Sequence, residues 1–130
     1  MIAYIDSSAL VKLVSLETET DALLEWITDH QPTLFGSELL RTEVIRAVRR
    51  FDPRALEAAK ELLRTVNLLA MPSSTFARAG ELDPQILRTL DALHLASALD
   101  LGDDLDVLVT YDDRLTEACA IHGVRVVAPA

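Results

Sequence analysis

Ile2-Ala3-Tyr4-Ile5-Asp6-Ser7-Ser8 opens the chain, and Val107-Leu108-Val109-Thr110-Tyr111-Asp112-Asp113 stands near its other end. Both are short apolar runs that stop at an aspartate. A strand with one face in water alternates apolar and polar residues; a run that stays apolar has both faces covered. A helix signal follows each run. Ser8 to Val14 reads as a short helix, and Asp113 to His122 as a longer one, with Gly123 at the position where helices end in a left-handed turn. Doubly covered strands that alternate with helices build a parallel sheet with helices on both faces. Such sheets bind ligands at the carboxyl ends of their strands. Asp6 and Asp112 sit at that edge.

The same alternation fills the residues between. Thr18 to Asp29 carries Ala22, Leu23, Trp26 and Ile27 at helical spacing, and Thr33 to Phe35, before Gly36, reads as a short strand. Ser37 is placed to cap a helix whose apolar positions are Leu40, Val44, Ala47, Val48 and Phe51. Asp52-Pro53 restarts a helix, which runs to about Arg64. Val66 to Met71 is the next apolar run, stopped by Pro72. Ser74 opens a short helix ending near Gly80, and Asp83-Pro84 marks a break. Ile86 to Leu101 has helical period, with Thr89 a candidate fresh start inside it, and Gly102 closes it. Val124 to Val127 is a last strand. The expectation is an α/β fold in one domain, residues 1–130.

Composition narrows the class. Of 130 residues half are apolar and a quarter charged, which disfavours disorder. The single cysteine, Cys119, excludes an intramolecular disulfide and a cysteine-based zinc cluster. No apolar run has the length of a membrane span, and no basic region followed by an apolar stretch marks a leader. A cytoplasmic protein without a membrane partner is expected. The formal charge of −9 argues against a nucleic-acid binder when taken alone. Its distribution is uneven: residues 41–64 carry seven basic against four acidic side chains, and both flanks are net acidic.

Four acids stand out. Asp6 and Asp112 follow strands, where a helix N-cap is the plain alternative role. Glu43 flanks the apolar face of its helix. Asp91 lies in Leu90-Asp91-Ala92-Leu93-His94-Leu95-Ala96, a largely apolar surround where a carboxylate is costly unless paired; capping a kinked helix start is its alternative. Two like charges ~4 Å apart repel by about 4 kcal/mol at an effective dielectric near 20. If the four converge, the site must hold a proton, an arginine or a divalent cation. Oxygen ligands without cysteine favour Mg²⁺ or Mn²⁺ over zinc. A cation so held polarises a phosphoryl oxygen and activates water, which suits phosphodiester hydrolysis.

These segments, taken with Glu43-Val44 and the continuation Ser97-Ala98, resemble the PIN domain, and within it the VapC-type ribonuclease toxins of toxin–antitoxin modules. The match runs over essentially the whole chain in order. The resemblance implies a three-layer fold with a five-stranded parallel sheet flanked by helices. It implies an acidic site for Mg²⁺ or Mn²⁺ made by Asp6, Glu43, Asp91 and Asp112, and endonucleolytic cleavage of RNA. The family's small hydroxyl beside the first acid falls on Ser7 or Ser8, with Ser8 favoured as a helix cap. Thr110 matches the hydroxyl residue that steadies the last acid, and Asp113 is an extra acid without a set role. Homodimers and a small neutralising antitoxin are also implied.

Other residues have plainer readings. Arg46, Arg49 and Arg50 fall on one side of their helix, as a solvated face or as a contact for RNA or antitoxin. Arg88, one turn before Asp91, is a counter-charge, a phosphate contact or an ordinary surface arginine. His94 is expected to be structural and hydrogen-bonded to a neighbour. Cys119 and Trp26 read as core residues, Trp26 also as a dimer contact, and Lys12 as a surface lysine. Two other functions fit the pattern less well. A phospho-acceptor signalling domain needs paired acids at the first strand and a late lysine, but no lysine follows Lys60. A catalytically silent interaction module is disfavoured by the presence of all four acids.

Overall fold

The computed structural model describes residues 1–130. Strand β1 (Ile2–Ile5) is the centre of the sheet. It is followed by α1 (Ser7–Val11), α2 (Thr20–His30), β2 (Thr33–Ser37), α3 (Leu39–Phe51), α4 (Leu56–Arg64), β3 (Asn67–Leu69) and α5 (Ser73–Glu81). Then come α6 (Thr89–Leu99), β4 (Val107–Val109), α7 (Asp113–Ile121) and β5 (Val126–Val127), with single 3-10 turns at Pro53–Ala55 and Gly102–Asp104. The five strands are parallel, in the order β3-β2-β1-β4-β5. The chain builds outward from β1 through β2 to β3, then returns to the other side of β1 for β4. The loops after β1 and β4 therefore diverge, and ligands bind at such a switch point. The order also differs from the 2-1-3-4-5 order of the phospho-acceptor domains weighed above.

Side chains of successive strand residues point to opposite faces, which sorts β1 and β4 into two layers. Ala3, Ile5, Val107 and Val109 pack with Ala9, Leu10, Leu23, Leu40, Val44, Val48, Ala59 and Leu63, closing one face under α1 to α4. Tyr4 and Leu108 pack on the other face with Leu95, Ala98, Leu115, Ala118 and Cys119 of α6 and α7. A smaller cluster of Ala79, Ala92, Leu93 and Ala96 joins α5 to α6. Cys119 is core, as expected, and Trp26 is partly buried against the first layer.

Several boundaries differ from the sequence reading. Helix α6 begins at Thr89, the fresh start that the sequence offered inside 86–101, rather than at Ile86, because the preceding residues form a turn closed by Leu87 N–H on the Pro84 carbonyl at 3.0 Å; the Asp83-Pro84 bond is cis. Ile86 is exposed there. Strand β4 ends at Val109, although the Thr110 amide still reaches the Val127 carbonyl at 3.3 Å. Strand β3 is shorter than the apolar run 66–71. Strand β2 continues through Gly36 to Ser37, and the Ser37 hydroxyl accepts from Leu39 N–H at 3.2 Å. Phe51, expected in the core, is the last residue of α3 and is 75% exposed.

Gly36 explains how α3 approaches the sheet. A Cβ there would lie 2.3 Å from Leu40 Cδ1 and 3.3 Å from the Ile5 carbonyl oxygen. Leu40 is fully buried, so its side chain has no free volume into which to retreat. Gly36→Ala is expected to lower stability by about 1–3 kcal/mol, the usual cost of overpacking, measured by urea unfolding.

Candidate active site

Asp6 stands where β1 becomes α1 and is 3% exposed. Three donors hold it. Thr110 Oγ1 donates to Oδ2 at 2.6 Å; Ser8 Oγ donates to Oδ1 at 2.8 Å; the Ala9 amide donates to Oδ1 at 3.1 Å. Asp6 is thus the N-cap of α1 as well as a buried acid. Ser8, expected to be that cap, is a ligand of the cap instead: its oxygen also accepts from Tyr111 N–H at 3.0 Å, tying α1 to the strand β4 exit. Burial raises the Asp6 pKa above the ordinary carboxylate value, opposed by the Thr110 and Ser8 hydroxyls, His94 and the Ala9 amide.

Asp112 caps α7, accepting from Leu115 N–H at 2.8 Å through Oδ1. Thr110 serves both strand-end acids, since its oxygen accepts from the Asp112 amide at 3.0 Å while its hydroxyl goes to Asp6. Asp113, the next residue, is exposed on the first turn of α7. Asp91 lies in the first turn of α6 and caps nothing; its carboxylate has no hydrogen-bond partner in the protein. Its pKa is raised by burial, then by the charges of Asp112 and Asp6, with His94 and Arg88 opposing. Those mutual effects place Asp6, Asp91 and Asp112 in one electrostatic field at the switch point between β1 and β4. Arg88, exposed at the N-cap of α6, supplies part of the counter-charge.

Glu43 stands on the adjoining wall. Ser7 Oγ donates to its Oε2 at 3.3 Å, and its Oε1 lies 2.6 Å from His94 Nε2. His94 is buried and hydrogen-bonded to neighbours, as expected. Lys12 corrects the sequence reading: its side chain is 12% exposed, bridges Glu17 and Glu19 at 3.5 and 2.9 Å, and lies 4.8 Å from the Tyr111 ring centre. It closes the side of the cleft lined by Ser7, Ser8, Val11, Glu43, Ala47, Phe51 and Tyr111. Arg46, Arg49 and Arg50 lie next to that cleft. They line, with Ala47 and Phe51, a shallow concavity of about 560 Å³. Arg50 sits 5.6 Å from the Phe51 ring centre. The exposed Phe51 was hidden from sequence reading by its helical spacing; its place at the helix end, before Asp52-Pro53, was the available signal.

As the side chains stand, no three of the acids enclose a metal position. The donor chemistry nevertheless fits a hard divalent cation. Asp91 has both oxygens free of protein partners, Asp112 has Oδ2 free, and the charges of Asp112 and Asp6 both act against that of Asp91. Glu43 is the acid that the structure ties elsewhere.

This geometry belongs to a recognisable class. Residues 3–121 match the family model of the PIN domain, and the chain belongs to that family. Within it the chain is a VapC-type member. It is 43% identical over 127 residues to ribonuclease VapC46 of Mycobacterium tuberculosis, covering 98% of this chain and 97% of that one. It is 38% identical over 129 residues to ribonuclease VapC35 of the same organism, covering 97% and 96%. Among solved structures, the fold matches M. tuberculosis VapC20, described as a sarcin-ricin loop cleaving toxin, with TM-score 0.73 at 17% identity over 89% of this chain and 94% of that one. It also matches a toxin–antitoxin complex from Klebsiella pneumoniae with TM-score 0.72 at 24% identity over 98% of both.

The raised pKa of Asp91 gives a stability test. The folded state binds its proton more tightly than the unfolded chain, so this contribution to stability is present at low pH and lost as pH rises through the folded pKa. Asp91→Asn removes the repulsion without breaking a hydrogen bond. In chelator at pH 7 the variant is expected to melt above the parent, and the gap is expected to close below about pH 4, the ordinary range of aspartate. A parent that melts higher at pH 7 would show that Asp91 is stabilised where it stands.

Proposed function

We propose that this chain is a metal-dependent endoribonuclease and the toxin of a toxin–antitoxin pair, acting in the cytoplasm as a single PIN domain. The observation that carries the reading is a buried Asp6, fixed by three donors, sharing a field with Asp91 and Asp112 at the carboxyl edge of a parallel sheet. Relatives named ribonucleases, aligned along nearly the full chain, support the activity. A neighbour solved as a toxin–antitoxin complex supports an antitoxin partner.

Asp6, Glu43, Asp91 and Asp112 would hold Mg²⁺ or Mn²⁺. The bound cation supplies charge stabilisation for a phosphoryl group and lowers the pKa of attacking water. Ser8 and Thr110 keep Asp6 in one orientation, and Thr110 couples that orientation to the backbone of Asp112. Ser7 holds one oxygen of Glu43. Asp113, exposed one residue beyond Asp112, adds to the negative rim that a cation offsets.

RNA brings its own negative charge to a protein of net −9. The basic face of α3 answers this locally. Ala47 and Phe51 line both the arginine concavity and the cleft that holds Ser7, Lys12, Glu17 and Glu43, so the two adjoin. The backbone of a single RNA strand would run along Arg46, Arg49 and Arg50, with Arg88, at the N-cap of α6, a further phosphate contact. The protein is taken to act as a homodimer, to which the exposed Phe76, Ile86 and Leu90 around α5 and α6 are suited.

Two outcomes test this. Asp6→Asn keeps the shape of the side chain; RNA cleavage is expected to fall by about two orders of magnitude or more with the fold retained. Millimolar Mn²⁺ is expected to raise the melting temperature of the parent and much less that of the variant. Unchanged cleavage in Asp6→Asn removes the assignment. Replacing Arg46, Arg49 and Arg50 together by Gln is expected to weaken RNA binding and to flatten its salt dependence by about two in log–log slope, the share of three phosphate contacts on a single strand. Manganese affinity is expected to stay as it was. Loss of antitoxin binding with RNA cleavage intact would assign the face to the antitoxin.

A further inference from the structure

The polar network does not end at Glu43. His94 lies in α6 one turn beyond Asp91, 1% exposed, within the buried run Ala92–Ala98. A buried imidazole is costly unless both nitrogens are partnered. Both are. Nε2 is 2.6 Å from Glu43 Oε1, and Nδ1 is 2.7 Å from the Tyr4 hydroxyl. A carboxylate only accepts, so Nε2 carries the proton and donates to Glu43. Nδ1 and the Tyr4 hydroxyl share the other hydrogen bond, the hydroxyl donating to a neutral ring and accepting from a protonated one. Tyr4 sits fully buried on the central strand, its ring 5.8 Å from the imidazole and nearly perpendicular at 73°. Burial pushes its phenol well above the ordinary pKa.

Resting on the reading of Glu43 as one of the site's acids, we propose that His94 and Tyr4 are positioning residues for Glu43. The two rings form a rod from the central strand that sets where the Glu43 carboxylate stands relative to Asp6 and Asp91. Glu43 needs such a rod. It projects from α3 on a flexible side chain beside an anionic cleft, and repulsion favours rotamers that swing it into water. Ser7 contributes only a 3.3 Å contact on the other oxygen. The donated proton of Nε2 is the contact that opposes the swing. It comes from α6, the helix that also carries Asp91, so one rigid element fixes both acids.

The test uses Mn²⁺ as the probe, read by the paramagnetic resonance signal of the free ion, alongside kcat and KM for RNA cleavage. His94→Leu removes both ring nitrogens. His94→Gln returns an amide N–H near the place of Nε2. Tyr4→Phe removes only the phenol. His94→Leu is expected to weaken Mn²⁺ binding by about 10–100-fold, the range for losing an outer partner of a metal ligand. Its loss in cleavage is expected in kcat more than in KM. His94→Gln is expected to recover most of both, and Tyr4→Phe to fall between. In a Glu43→Gln background, His94→Leu is expected to add no further loss of Mn²⁺ affinity, the mark of two residues acting as one.

A second readout needs no metal. Nitrogen-15 spectra of the metal-free parent are expected to show a proton on His94 Nε2, hydrogen-bonded to Glu43. A folded His94→Leu variant with unchanged Mn²⁺ affinity and kcat overturns the proposal, as do losses that multiply in the double variant. If His94→Leu does not fold, the same cycle run with Tyr4→Phe and Glu43→Gln decides. Should the parent neither bind Mn²⁺ nor cleave RNA, the functional reading fails. The nitrogen spectra then judge the rod alone, and an Nε2 without a proton overturns it.

Discussion

The structure is organised around the burial of one charge. Asp6 is almost wholly removed from water at the end of the central strand, and a carboxylate in that position is tolerated only when its oxygens are satisfied. The donors come from α1 and from the exit of β4, so the first helix and the fourth strand must both be in place before the charge is stable there. The parallel pairing of Ile5 with Val109 brings Thr110 to Asp6, and the Asp6 amide itself donates to the Val109 carbonyl at 3.2 Å. A stable hydrophobic sheet with any other register would leave the acid unsatisfied. The charge therefore selects among folds that the apolar residues alone would permit.

Much of this is written in the sequence in readable form. Unbroken apolar runs at Ile2 and Val107 disclosed strands covered on both faces, and helical spacing in 39–51 and 113–121 disclosed the layers above them. Acids at strand ends marked the carboxyl edge of the sheet, where Asp6 and Asp112 stand. What was not readable depends on contacts between distant segments. The sequence offered both Asp6 and Ser8 as the N-cap of α1; the role falls to Asp6 because Ser8 is drawn to the Tyr111 amide, a partner over a hundred positions away. Lys12 is enclosed because Tyr111 and two glutamates surround it. Periodicity put Phe51 in the core, yet α3 ends before that side chain can reach it. Helix α6 starts late because the geometry of the residues after Asp83-Pro84 overrides a continuous helical pattern.

The four acids are not equivalent in what holds them. Asp6 and Asp112 each spend one oxygen on a helix cap, Asp91 spends none, and Glu43 spends both on neighbours. The four carboxylates thus differ in freedom: two are fixed as helix caps, one is free of protein partners, and one is tied to Ser7 and His94. The arginine face adds a separate positive region a short distance along α3. A chain with a strongly acidic total thus carries a local concentration of positive charge on one helix.

The pairing of β1 with β4 also has a meaning in time. Asp6 is synthesised over a hundred residues before Thr110 and Asp112, and domains form as units while chains are made. Until β4 docks, one edge of the central strand is open and Asp6 lacks its shortest hydrogen bond. A growing chain thus carries an incompletely satisfied acid at its central strand for most of the synthesis of this domain. The full set of donors to Asp6 forms only after the fourth strand has left the exit channel.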